Sequence, residues 1–117
     1  MKRNTGQLKE QLIQTGIAEI GKHGIEQLSL RTVAKACGVT HGSPYRHFES
    51  KEGYLKVVLA RLSLFLNQEI NENIDATGSA RNQLTQLGLN FIIFAKTYPH
   101  FFEALFIKFP FKYMKVT

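Results

Sequence analysis

Residues 29–51 read SLRTVAKACGVTHGSPYRHFESK, and the punctuation of this stretch decides the fold. Ser29 is a good N-cap, because its hydroxyl can accept an orphan N–H of a first helical turn. Leu30, Val33, Ala34 and Cys37 then fall at i, i+3, i+4 and i+7, the inward face of a helix over about 29–37. Gly38 supplies a left-handed residue, Val39 an apolar plug, and Thr40 a second N-cap for a short helix over about 40–47. Pro44 sits at the fourth position of that helix. It removes the first intrahelical N–H bond and crowds the Thr40 carbonyl, so the first turn is expected to tighten or open. Two short helices joined by a glycine turn are a helix-turn-helix.

Working outward, Leu8, Leu12, Ile13, Ile17 and Ile20 make a 3.6-residue stripe that stops at Gly24, a plausible residue to close a helix. Gly16 and Gly21 lie inside this first helix. Each costs about 1 kcal/mol relative to alanine, so packing or a close neighbour must justify them. On the other side, Ser50 caps a fourth helix whose apolar positions are Leu55, Val58, Leu59, Leu62, Phe65, Leu66, Ile70 and Ile74. That is roughly 35 Å of helix at 1.5 Å per residue, longer than a three-helix head requires. Asp75–Ser79 reads as a loop, and a fifth helix carries Leu84, Leu87, Phe91, Ile92 and Ala95, ending before Pro99. His100–Ile107 makes one further short helix, closed by Pro110. No run alternates with the period of a strand. The expected fold class is all-α: a three-helix, homeodomain-like head over 1–50, then over 51–117 a connecting helix and the first helices of a second helical unit.

Composition limits the function. The 117 residues, 44% hydrophobic and 21% charged, suit a globular fold of modest size and leave no room for a large enzyme core. Residues 1–61 carry ten Lys/Arg against five Glu, a net +5 of the chain's +6, and a basic face favours a polyanionic partner. The basic N-terminus runs into Gln, Lys and Glu where a leader needs an apolar stretch, and no segment approaches a membrane span of about 20 apolar residues, so a cytoplasmic protein with no membrane partner is expected. The single cysteine, Cys37, excludes an internal disulfide and reads as a small core residue. There is no zinc-ligand spacing, phosphate-binding glycine loop, nucleophile elbow or facing carboxylate pair, so neither a metal, a cofactor nor catalysis is expected.

Over its whole length the 29–51 block resembles the DNA-binding signature of the TetR family of bacterial transcriptional regulators: the inward helix with Ala34, the Gly38–Val39 turn, Tyr45 and Phe48 at their offsets, and Lys51 opening the next helix. The resemblance is strong over about 5–75 and looser beyond. A short helix with a free N-terminus can enter the major groove of double-stranded DNA and place its first residues on base edges, which makes Thr40, His41, Gly42 and Ser43 the base-facing candidates. The resemblance implies that Tyr45, His47 and Lys51 contact the DNA backbone and that Arg31 and Thr32 match phosphate and groove-edge contacts. Arg46 can reach either a guanine or a phosphate. Proline at position 44 departs from the aliphatic residue more usual in the family.

Nine of the thirteen aromatic residues lie between Phe91 and Tyr113. The resemblance places here the start of an effector-binding domain around an apolar pocket, with Phe65, Phe91, Phe94, Tyr98 and Phe102 as its candidate lining. It also implies a repressor released from a palindromic operator by a small apolar effector and working as a homodimer. Family members are close to twice this length, so the chain is expected to be a fragment whose phenylalanines lack their covering helices. The competing reading from another class is an interaction module whose basic head binds an acidic protein or RNA.

Overall fold

The structure, a computed structural model, describes residues 4–108. Its elements are α1 (Thr5–His23), a 3₁₀ turn (Ile25–Gln27), α2 (Leu30–Ala36), α3 (Ser43–Phe48), α4 (Lys51–Ile70), α5 (Ala80–Thr97), α6 (Pro99–Glu103) and a π-helical turn (Ala104–Lys108). No strand occurs among the described residues, and the all-α expectation holds.

α1 begins at a capping box absent from the sequence reading: the Asn4 side chain accepts the Gln7 N–H at 2.7 Å while Gln7 Oε1 accepts the Asn4 N–H at 2.9 Å. It ends as expected at Gly24, whose φ of 87° no side chain readily adopts. Its inward face, Leu12, Ile13, Gly16 and Ile20, packs against Leu30 and Val33 of α2, Phe48 of α3, and Tyr54, Leu55, Val58, Leu59 and Leu62 of α4 in one cluster. Each large aliphatic side chain so buried contributes about 1.5–3 kcal/mol relative to leaving it in water. Gly16 and Gly21 inside α1 are explained by rings rather than by another backbone. A Cβ on Gly16 would strike the Tyr54 hydroxyl, which donates to the Leu12 carbonyl, and one on Gly21 would lie 3.2 Å from the Phe101 ring.

Four expectations need correction. α3 spans 43–48 rather than 40–47, and its N-cap is Gly42, not Thr40. Pro44 is the cause: with no N–H to give the Thr40 carbonyl, residues 40–43 close instead as a tight turn, Ser43 N to Thr40 O at 3.0 Å, and Pro44 falls in the first helical turn, where proline fits. α4 ends at Ile70, leaving Ile74 outside it. There Asn71 Nδ2 donates to the Asn67 carbonyl at 2.7 Å, Asn73 takes a left-handed φ of 58°, and Asn90 of α5 donates to the Ile70 and Glu72 carbonyls at 2.9 Å each. The inward face of α5 is accordingly centred on Asn90 and Phe94, while Leu84 and Ile92 point to solvent. The last helix breaks in two, α6 and the π-helical turn. Pro110, Phe109, Phe111 and Tyr113 lie outside the described residues.

α6 and the π-helical turn do not extend away from the head; they dock on it. Ala104 is fully buried in the head core, Phe101 covers Gly21, His100 covers Gly24, and Lys108 Nζ reaches Glu26 Oε1 at 2.8 Å.

Candidate nucleic-acid interface

α2 is held by its buried side. Val33 and Ala34 are fully buried, which turns Arg31, Thr32 and Lys35 outward. Ser29 caps it as read from the sequence, through a long contact to the Thr32 N–H at 3.5 Å. After Cys37, Gly38 at φ 72° lets its own N–H bond the Lys35 carbonyl at 3.1 Å and the Val39 N–H bond the Ala34 carbonyl at 3.0 Å, the paired bonds of a Schellman turn. Val39 is thereby laid against the core and Thr40 starts the exposed connection. Cys37 is half-buried with its Sγ 3.3 Å from Thr15 Oγ1.

α3 buries Ser43, Pro44 and Phe48 and exposes Tyr45 and Arg46. Of the sequence candidates, Arg31, Thr32, Thr40, His41, Gly42, Tyr45, Arg46 and Lys51 are exposed and His47 is half-buried. Tyr45 keeps 49% of its surface open, whereas Ser43 keeps only 8%. Ser43 is therefore placed inward at the first turn of α3, away from the row the other candidates form. The register of α4 on α3 is set by aromatic packing: Phe48 meets the Tyr54 ring edge-on at 5.0 Å, and Lys9 Nζ lies 5.7 Å from the Phe48 centroid. The Ser50 hydroxyl accepts the Gly53 N–H at 3.0 Å, which fixes the first turn of α4 and presents Lys51 at its start.

Two cations outside this surface are paired, and the four on it are not. Arg61 is neutralised by Glu10 through two bonds of 2.6 and 2.7 Å, and Lys108 by Glu26 and Glu103. The Arg61 guanidinium, with Gln14, holds the Glu10 carboxyl down at about 2. Arg31, Lys35, Arg46 and Lys51 form no ion pair with any described residue. Lys35, one turn after Arg31 and on the same outward side, was missed in the sequence, although its i+4 spacing from Arg31 was a usable signal.

The five candidate pocket residues separate into two ring clusters. Phe65, Phe94 and Tyr98 pack together with Phe101, centroids 5.0 to 6.2 Å apart, while Phe91 and Phe102 meet Phe106. Two open recesses border the first cluster. One of about 340 Å³, between the end of α4 and α5, is lined in part by Phe94, Tyr98, Glu69, Glu72 and Asn90. The other, about 310 Å³ between α1 and α4, is bordered by Phe65, Phe101, Ile17 and Arg61. Phe91 and Phe102 line neither. Asn90, which ties the two helices, was hidden in the sequence as one polar residue among apolar ones.

A buried three-helix core with an outward, unpaired basic surface on its second and third helices defines a helix-turn-helix protein. Residues 12–58 match the family described as bacterial regulatory proteins, tetR family. It is 42% identical over 43 residues to the probable acrEF/envCD operon repressor of Escherichia coli K12, covering 37% of this chain and 20% of that one. It is 28% identical over 79 residues to the HTH-type transcriptional repressor KstR2 of Mycolicibacterium smegmatis, covering 68% and 38%. In fold it is similar to a TetR-family transcriptional regulator from Haemophilus influenzae, HI0893, with a TM-score of 0.59 at 24% identity over 84% of this chain and 54% of that one. The matched stretches cover only 20% and 38% of these two curated relatives. No helix among the described residues is long and apolar enough to cross a membrane.

Proposed function

We propose that the chain is a DNA-binding transcriptional regulator acting as a repressor, with α3 and the turn before it entering the major groove. The observation that carries this reading is the set of unpaired cations, Arg31, Lys35, Arg46 and Lys51, on the outer side of a helix-turn-helix whose inner side is buried. Arg61 and Lys108 are neutralised by carboxylates, and other unpaired lysines and arginines lie scattered over the chain, but these four are gathered on one helix-turn-helix and its flanking turn, where they can meet phosphate, whose neutralisation releases condensed counterions. Tyr45, His47 and Lys51 set the head against the DNA backbone, and Thr40, His41, Gly42 and Arg46 face the groove. Ser43, inward in this structure, holds the start of α3 rather than reading a base.

One short recognition helix covers only a few base pairs, so operator specificity needs two heads at fixed separation on a palindromic duplex, and hence a homodimer of the whole regulator. A small effector held among Phe65, Phe94 and Tyr98 would release the DNA by favouring another head separation, and must bind one arrangement more tightly than the other to shift it. Two struts support such coupling: α4, which runs from Lys51 to the ring cluster, and α6, whose Phe101 joins that cluster while covering Gly21 of α1. Fluorescence anisotropy against a short duplex selected by the protein from a random pool, a scrambled duplex and a hairpin RNA, over a range of salt, tests the DNA-binding step. Tightest binding to the selected duplex with a steep fall in salt is expected; equal or better binding to the RNA would favour the interaction-module reading instead.

A further inference from the structure

We infer that Gly42 is a specificity-determining residue of the interface: its missing side chain is required by the approach of the duplex, not by the fold. The inference rests on the DNA-binding reading above and deepens it. Gly42 has φ −81° and ψ −19°, a right-handed conformation open to every L-residue. A Cβ built on it meets no atom within 4 Å. Most other glycines of the head differ, Gly6, where a Cβ would make only ordinary contact with the Asn4 side chain, being the exception. A Cβ on Gly16 would strike the Tyr54 hydroxyl, one on Gly53 would strike the Phe48 carbonyl, and Gly38 is held at φ 72°.

Glycine loses more conformational freedom on folding than alanine, so a position that tolerates a side chain gains nothing inside the chain from lacking one. Gly42 also forms no side-chain cap on α3, and alanine there would remove no hydrogen bond. What surrounds it is open surface: Thr40 and His41 before it, Tyr45 and Arg46 after it, with Ser43 and Pro44 turned inward. The bare backbone at 42 therefore lies exposed at the junction where the turn enters α3. Base edges lie at the floor of a major groove about 8.5 Å deep, and hydrogen bonds to them hold only between about 2.7 and 3.2 Å. A methyl group at 42 would keep the neighbouring side chains off that floor while leaving phosphate contacts, which form at the groove walls, within reach.

Gly42→Ala and Gly42→Ser in the full chain test this, with binding measured to the duplex selected by the parent protein and to a duplex of unrelated sequence, and thermal unfolding followed in parallel. Both variants are expected to unfold at or above the parent's midpoint, to lose about tenfold or more on the selected duplex, and to change by less than about twofold on the unrelated one. Full affinity of both variants for the selected duplex would overturn the role of Gly42 and leave DNA binding standing. A clear fall in both unfolding midpoints would also overturn it, by showing that the fold itself needs the glycine. A parent chain that selects no duplex would remove the DNA-binding reading and this inference together.

Discussion

The head and the rear of this molecule use the same residue types to opposite ends. In the head, α1, α2, α3 and the first three turns of α4 enclose Leu12, Ile20, Val33, Tyr54, Leu55 and Val58 almost completely. In the rear, α5 is apolar on both sides: Phe94 is buried, yet Leu84 is 71% exposed and Leu89, Ile92 and Ile93 are about half exposed or more. The head core is closed by its helices together with Ala104 of the docked π-helical turn, and its polar outer side is open. The rear has one covered face and one bare face, joined to the head by α4 and by the docked α6. The fully buried apolar side chains are concentrated in the first region.

The comparison breaks most visibly under truncation of matched leucines. Leu12→Ala leaves a cavity in a closed core and is expected to cost about 2–5 kcal/mol, measured by denaturant unfolding, whereas Leu84→Ala stays within about 0.5 kcal/mol. Equal losses at the two sites would mean that the rear face is covered. Next in size is Gly16→Ala. It gains helix propensity but forces a Cβ into the Tyr54 hydroxyl, for an expected loss of about 1–3 kcal/mol. Adding Tyr54→Phe deletes the hydroxyl and should restore part of that loss, although it also gives up the bond to the Leu12 carbonyl. Additive losses in the double variant would show that the hydroxyl is not the obstacle.

The smallest effect is expected at the ion pair between α1 and α4. Arg61 holds the Glu10 carboxyl at about 2, below its ordinary 4.5, so the pair's contribution is complete above about pH 4.5 and fades as pH falls toward 2. Both side chains are nearly half exposed, so salt screens the effect. Glu10→Gln should remove that small, salt-sensitive contribution above about pH 4.5 and converge with the parent toward pH 2, flattening the acid limb; an unchanged acid limb at low salt would show that the pair contributes nothing.

How much of this was legible in the sequence follows the same division. The caps Ser29 and Ser50, the closing Gly24 and the left-handed Gly38 are local signals, readable because one residue's backbone preference decides one turn. The start of α3 was misplaced because Thr40 is a good cap in isolation and the proline four residues on overrules it. In the rear, the end of α4 depends on Asn90, twenty residues downstream, which bonds the Ile70 carbonyl, and no local pattern carries that partnership. Hydrophobic spacing placed Leu84 and Ile92 inward because period alone cannot choose between the two sides of a helix that is apolar on both. For the interface, the residue types were read from the 29–51 block, but the inward placement of Ser43 follows from the late start of α3 and was not visible beforehand.

The most direct measurement is an NMR titration of the isotopically labelled chain with a selected operator-length duplex, compared at equal protein concentration with the free chain. If the basic outer side of the helix-turn-helix binds DNA, amide shifts and protection will concentrate at Arg31, Thr32, Thr40–Gly42, Tyr45–His47 and Lys51, while α5 from Ala80 to Thr97 remains unperturbed at saturation. Perturbation centred on α5, or spread evenly over the surface with residues 40–51 silent, would contradict it.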